Sequence, residues 1–280
     1  MPARVDLYDT SYRNFAAAAE SAVRAETYGE DLGQSSWLTA DEWRGFIARL
    51  DLTPAAHVLE VGSGSGGPAV YLARAAGCRV TGVDVNAHGV ATAEALARAA
   101  GVGDRVQFQA LDASRPLPFA DDTFDAVVSN DAMCHLADRG AVLRDWCRVL
   151  RPGGRVLYTD AMVVTGVVSD QELAARSAIG RYYFVPPGLN ERLLAAAGFE
   201  RVRADDVTAN AEQVAARWRA ARERHRDALV AREGAANFDG LQAFLACVHA
   251  LSAARRLTRW AYLARRPGGP PEGAPGTAGS

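Results

Sequence analysis

The chain contains no lysine; all 31 of its basic residues are arginine. A P-loop nucleotidase needs a lysine against its phosphates, a protein kinase one on a strand, and a pyridoxal-phosphate enzyme one for its Schiff base. All three classes are therefore excluded. Cysteine is scarce too: Cys78, Cys134, Cys147 and Cys247 form no C-x-x-C pair and follow no metal-ligand spacing, which argues against disulfides and structural zinc. No run approaches the ~18 apolar residues of a membrane span, and the opening MPARVDLYDT is charged and lacks an apolar signal region. The expectation is a soluble, cytoplasmic chain with no membrane partner. A net charge of −2 over 280 residues offers no general attraction to nucleic acid.

What is present centres on VLEVGSGSGGPA, Val58 to Ala69. A short apolar run ends in an acid and breaks into glycines before a helix-compatible stretch, which reads as a buried strand followed by a loop that a ligand can approach closely. Gly62, Gly64 and Gly67 satisfy G-x-G-x-x-G, and Asp84 closes the next strand about 20 residues on, where a carboxylate can take both hydroxyls of a ribose. The ligand class is adenosine-like. NAD and S-adenosylmethionine (SAM) both stay open at this point.

Strands at 57–62, 79–84, 105–110, 124–129 and 154–159 alternate with helices at 66–76, 87–100 and 138–150. That alternation predicts an α/β fold, a doubly wound parallel sheet with ligands at the carboxyl ends of its strands. A helix-rich lead-in precedes it, ending in a helix that starts at Thr39 with Glu42 completing a capping box. FERVRADDV and LTRWAYLAR supply strands six and seven, and two helices are expected between them, with Val214, Trp218, His225 and Leu229 on one stripe and Leu241, Phe244, Leu245, Val248 and Leu251 on the other. Arg217, Arg219, Arg222, Arg224 and Arg226 should mostly face away from the first stripe. The expected division is a helical cap over 1–50, a nucleotide domain over 51–266 with an insertion at about 208–253, and a disordered Pro/Gly-rich tail over 267–280.

Glu60 completes E-x-G-x-G-x-G with Gly62, Gly64 and Gly66; Leu111, Asp112 and Ala113 precede PLPF; RVLRPGGRVLY introduces strand five. In this order the motifs resemble class I SAM-dependent methyltransferases over about residues 28–265. The resemblance implies a seven-stranded Rossmann-like sheet with the last strand antiparallel, and SAM as cofactor with S-adenosylhomocysteine as product. It also implies that Asp84 holds the ribose and that Asp112 accepts from the adenine amine. Val85, Ala113, Asn130 and Gln34 are expected beside the cofactor. An ionised carboxylate suits both a diol and an exocyclic amine because it only accepts hydrogen bonds.

SNDAMCHLADR (Ser129 to Arg139) and ETYGEDLGQSSWLT (Glu26 to Thr39) are similar to segments of phosphoethanolamine N-methyltransferases. That resemblance implies a Tyr28/His135 dyad over the reacting atom and a phosphate grip by Arg181 and Tyr183. Trp37, Asp131, Met133 and Tyr182 join them on the acceptor side, and the aromatic residues could equally embrace a cationic amine. The family's phosphate site also uses a lysine, which is missing here, so another small-molecule acceptor from amine or natural-product metabolism fits better. Asp131 and Asp160 raise a divalent-metal reading, but the adjacent Asp-Asn pair of catechol-type enzymes is absent and no metal is expected. N- or O-methylation with His135 as base leads. C-methylation or other sulfonium chemistry, NAD-dependent oxidoreduction and non-catalytic SAM binding are the alternatives, and a homodimer is compatible with the sequence.

Overall fold

The computed structural model describes residues 5–268. The lead-in folds as α1 (Tyr8–Arg13), α2 (Ala18–Tyr28) and α3 (Ala40–Leu50). The nucleotide core follows: β1 (His57–Val61), α4 (Gly67–Ala76), β2 (Arg79–Asp84), α5 (Ala87–Ala99), β3 (Val106–Ala110), β4 (Phe124–Ser129), a 3-10 turn at Met133–His135, α6 (Arg139–Val149) and β5 (Leu150–Val164). Then come α7 (Asp170–Arg176), α8 (Leu189–Ala196), β6 (Glu200–Asp206), α9 (Thr208–Arg224), α10 (Arg226–Glu233), α11 (Ala235–Ala253) and β7 (Leu257–Arg265).

β1 is buried from Val58 onward, as expected for a strand covered on both faces, and it pairs in parallel with β2 on one side and β4 on the other. The seven strands run β3-β2-β1-β4-β5-β7-β6, with β7 antiparallel to both neighbours. The predicted sheet is borne out. Because the chain winds outward in opposite directions from β1 and β4, their carboxyl ends open a crevice, and the glycine loop after β1 lies in it.

One face of the sheet packs on α3, α4 and α5 through residues such as Trp43, Phe46, Leu72 and Ala93. The other packs on α6 and α8 through Leu143, Trp146 and Leu194. Trp43 and Trp146 are fully buried, and burying a large apolar side chain contributes roughly 1.5–3 kcal/mol. A separate core joins the lead-in to the insertion: Val23, Tyr28 and Trp37 pack with Val214, Trp218, Leu241 and Phe244. The cap and the insertion therefore form one roof over the crevice.

Four local expectations need correction. The insertion has three helices rather than two, because the first stripe breaks at His225, which has left helical geometry and whose N–H closes back on Ala221 and Arg222. Arg222 is also buried, paired with Glu233 and lying 5.0 Å from the centre of the Phe238 ring, so it does not join the solvated arginine face. At α3, Thr39 accepts from the Glu42 N–H at 3.3 Å, but both Glu42 carboxylate oxygens bind Arg259 at 2.8 Å, leaving half a capping box. At α7, Ser169 and Glu172 form a complete capping box. Strand five is longer than expected because the Pro152–Gly154 turn is absorbed into it, with a register shift between Phe124 and Ala126 of its partner. Most of the expected tail, residues 269–280, lies outside the described residues.

Candidate active site beneath the helical roof

A cavity of about 720 Å³ lies at the carboxyl ends of β1, β2 and β4, bounded above by the lead-in, the α7 region and the insertion. Its floor is the glycine loop. Gly62 has φ +75°, and a Cβ there would come within 2.3 Å of the Ala132 Cβ; a Cβ on Gly64 would strike the Tyr12 hydroxyl at 2.6 Å. Asp84 fixes the loop by accepting from the Gly64 N–H at 2.8 Å, while its other oxygen accepts from the Asn86 N–H. Burial raises the Asp84 pKa.

Gly66 and Gly67 have a different task. Gly66 does not border the cavity; at φ +81° its missing Cβ leaves room for Ala93 and Phe108, which such an atom would approach to 2.5 and 2.7 Å. Its expected place beside the cofactor is thus corrected to a packing contact between loop and α5. A Cβ on Gly67 would meet the Leu32 carbonyl oxygen at 1.8 Å, so this glycine lets the lead-in lie on the start of α4. Gly66→Ala should destabilise the chain by about 1–3 kcal/mol, read as a lower urea midpoint, since overpacking adds to the unfavourable φ.

Several buried polar atoms around the floor have no partner among the described residues. They are one Glu60 carboxylate oxygen, the Ser63 hydroxyl, and both the oxygen and nitrogen of the Asn130 amide. All three residues border the cavity, and burial pushes the Glu60 carboxyl up to about 8. Such orphans are costly unless a ligand satisfies them. Val85, 75% exposed, and Ala113 border the same end. Asp112 does as well, its carboxylate held ionised by the Ser114 hydroxyl and N–H. Gln34 lines the wall, but its side chain is spent on its own loop, accepting from Leu32 N–H and donating to the Leu38 carbonyl.

At the other end stands His135. Its Nδ1 is 2.9 Å from the Arg181 carbonyl oxygen, which can only accept, so Nδ1 carries the proton and Nε2 presents a lone pair in the neutral ring. The Tyr8 hydroxyl lies 3.1 Å from that Nε2. Burial lowers the His135 pKa and raises that of Tyr8, so a neutral imidazole faces a protonated phenol. The expected Tyr28/His135 pair is not formed: Tyr28 is buried in the roof, donates to the Ser36 carbonyl at 2.8 Å, and does not border the cavity. Tyr8 takes that place because α1 crosses the mouth of the crevice while α2 packs on α9.

Other acceptor-side expectations are also revised. Met133 is fully buried in the core beneath the sheet. Tyr183 does not border the cavity; its backbone donates to the Cys134 carbonyl and accepts from Arg139. Arg181 is exposed at the rim, where its carbonyl orients His135. Asp131 borders the cavity at φ +57°, yet its carboxylate accepts from Trp37 N–H, the Thr159 hydroxyl and Arg259 Nε. It anchors the wall. Asp160 is likewise bound, to Arg139 and Asn190. Trp37 and Tyr182 do face the cavity, beside Trp218 and Phe244.

Sequence reasoning passed over Tyr8, Arg176 and Arg259. Nothing local distinguishes Tyr8 from the other tyrosines of the lead-in, and Arg176 looks like an ordinary last-turn cation of α7. Arg259 carried a signal, a lone charge inside an otherwise apolar strand.

Residues 59–158 match the family model described as "Methyltransferase domain". Methyltransferase GfsG of Streptomyces halstedii is 43% identical over 122 residues, 44% of this chain and 43% of that protein. Phosphoethanolamine N-methyltransferase 1 of Triticum aestivum is 32% identical over 186 residues, 66% of this chain and 36% of that protein. The chain thus spans less than half the length of each. The solved structure of Haemonchus contortus phosphoethanolamine N-methyltransferase 2, with phosphomonomethylethanolamine and S-adenosylhomocysteine bound, superposes with a TM-score of 0.76 at 24% identity, covering 93% of this chain and 60% of that one. It shares the fold. Strand order, the glycine cradle between Glu60 and Asp84, and the match over residues 59–158 together identify this chain as carrying the domain of the class I SAM-dependent methyltransferases.

Proposed function

We propose that the chain transfers the methyl group of SAM to a nitrogen or oxygen of a small-molecule acceptor, with His135 as general base. One observation carries the reading. A single cavity has the glycine cradle and its orphaned polar groups at one end, and at the other a histidine whose proton is fixed on Nδ1 and whose Nε2 lone pair faces Tyr8.

SAM, when bound, supplies an activated methyl group on a sulfonium. The residues then need to align an acceptor and exclude water. Asp84 would hold the ribose hydroxyls, Asp112 the adenine amine, and Val85 and Ala113 the faces of the base. Glu60 and Asn130 have unmet hydrogen-bonding capacity at the glycine loop, where the amino-acid portion would pass. On the acceptor side, Nε2 of His135 would take the proton that the attacking nitrogen or oxygen loses. Tyr8, held as a phenol, would position that atom or the imidazole. Trp37, Tyr182, Trp218 and Phe244 keep this end dry.

Incubating the chain with methyl-labelled SAM and panels of amines, phenols and carboxylates should yield labelled acceptor and S-adenosylhomocysteine. Release of methylthioadenosine, or calorimetric binding of NADH without S-adenosylhomocysteine, would refute the reading. Asp84→Asn should weaken S-adenosylhomocysteine binding roughly ten- to hundredfold, because a charge-assisted hydrogen bond contributes about 1.5–3 kcal/mol. Calorimetry checks it. An unchanged affinity would put the ribose elsewhere.

A further inference from the structure

Arg176, at the end of α7, is 2% exposed and borders the acceptor end of the cavity. Among the described residues its Nε and Nη1 have no hydrogen-bond partner and no carboxylate lies within ion-pair distance of it. The other deeply buried arginines are paired: Arg139 with Asp160, Arg222 with Glu233, and Arg259 with both Glu42 and Asp131. Arg176 is the exception among these four.

Aromatic rings surround it instead. The guanidinium carbon lies 4.6 Å from the centre of the Tyr182 ring, 5.0 Å from Phe244 and 5.9 Å from Trp37. Ring faces attract the charge. The ring faces give Nε and Nη1 no acceptor, so these two donors stay unmet, and an unmet buried charge is expensive. The group that would relieve this is a planar oxyanion, which the fork grips through two parallel hydrogen bonds.

On the basis of the methyl-transfer reading, we propose that Arg176 is the anchor for a carboxylate on the acceptor, and that the aromatic box accommodates an anionic aromatic acid rather than a cationic amine. A cation entering that box would meet the Arg176 charge among the same rings. Tyr182 touches both ends of the arrangement, 4.6 Å from the guanidinium and 4.4 Å from the centre of the His135 ring. A carboxylate on Arg176 therefore places the far side of a small ring compound toward His135. This site is distinct from Arg181, which is exposed at the rim.

The test uses the full chain saturated with S-adenosylhomocysteine and three probes of one size: 4-hydroxybenzoate, 4-hydroxybenzamide and tyramine. The carboxylate should bind at least tenfold more tightly than the amide, and tyramine should not displace it. Arg176→Met should abolish the preference with S-adenosylhomocysteine affinity unchanged, and Arg176→Lys should restore part of it. Equal affinity for acid and amide in the wild-type chain, or a preference that survives Arg176→Met, overturns the proposal. Should the methionine variant not fold, the Arg176 Nε–H resonance, assigned by its loss in the lysine variant, decides. It must shift with 4-hydroxybenzoate and not with the amide; a static resonance overturns the proposal. Bound S-adenosylhomocysteine without acid preference sinks this inference alone. Absence of S-adenosylhomocysteine binding sinks the methyl-transfer reading as well.

Discussion

His135→Ala is expected to lower the turnover number about 10²–10⁴-fold, the usual contribution of a positioned general base. The affinity for S-adenosylhomocysteine should stay within twofold. The expectation follows from the way the ring is held: the Arg181 carbonyl fixes the proton on Nδ1, and Nε2 is left to the cavity with Tyr8 3.1 Å away. Tyr8→Phe keeps the ring and removes the hydroxyl, so it should cost less than the alanine at His135 and leave KM for SAM unmoved. The pH profile gives an independent check. Burial holds the His135 pKa below its usual 6.5, so the basic form persists to lower pH than in an exposed histidine, and turnover should fall only once the pH drops through that lowered value. Parallel losses of turnover and cofactor affinity would assign His135 a purely structural part.

Arg259→Met should cost about 3–5 kcal/mol of stability, the range for breaking a buried ion pair by removing one partner. For a chain of this size that corresponds to a fall in Tm on the order of 10 °C. Arg259 is wholly buried in β7 and binds Asp131 through Nε and both oxygens of Glu42 through Nη1, each at 2.8 Å. Methionine fills much of the volume and leaves two carboxylates facing one another. Glu42 already has its pKa raised by burial, with Arg259 acting against that shift. Without the arginine the folded-state pKa rises further above the unfolded value, so protonation favours the folded state. The variant's deficit should therefore shrink as pH falls below the carboxylate range and grow as pH rises through it. Adding Glu42→Gln to Arg259→Met should recover part of the loss. Denaturant midpoints at pH 4.5 and 7.5 measure both effects, and a deficit independent of pH would show that the lost energy is packing alone.

The parts of this molecule that could be read from its residues are those set by local pattern. β2 and β7 fall at Arg79–Asp84 and Leu257–Arg265 as expected, because each is an apolar run bounded by loop-forming residues or charge. The glycine loop and Asp84 could be located for the same reason, since close approach and positive φ leave few residue choices. What could not be read is which side chains meet across long separations. Tyr8 and Tyr28 sit in one lead-in and either could have faced His135; α2 packing on α9 turns Tyr28 into the roof and leaves α1 over the cavity. Glu42 fits a capping box in sequence, and a partner 217 residues away claims its carboxylate. Asp131 reads as a candidate ligand for an acceptor, and its oxygens are taken by Trp37, Thr159 and Arg259.

The placement of β7 between β5 and β6 has a consequence for how the chain is made. A ribosome delivers residues in order, and strands β5 and β6 emerge well before the strand that must slide between them. Until Leu257–Arg265 leaves the exit tunnel, β5 and β6 lack their shared neighbour, Glu42 and Asp131 lack their common cation, and the wall at Trp37 is held from Asp131 and Thr159 without Arg259. Open edges of this kind invite pairing with other chains. The active-site wall should therefore be completed only when β7 joins the sheet and Arg259 reaches Glu42 and Asp131.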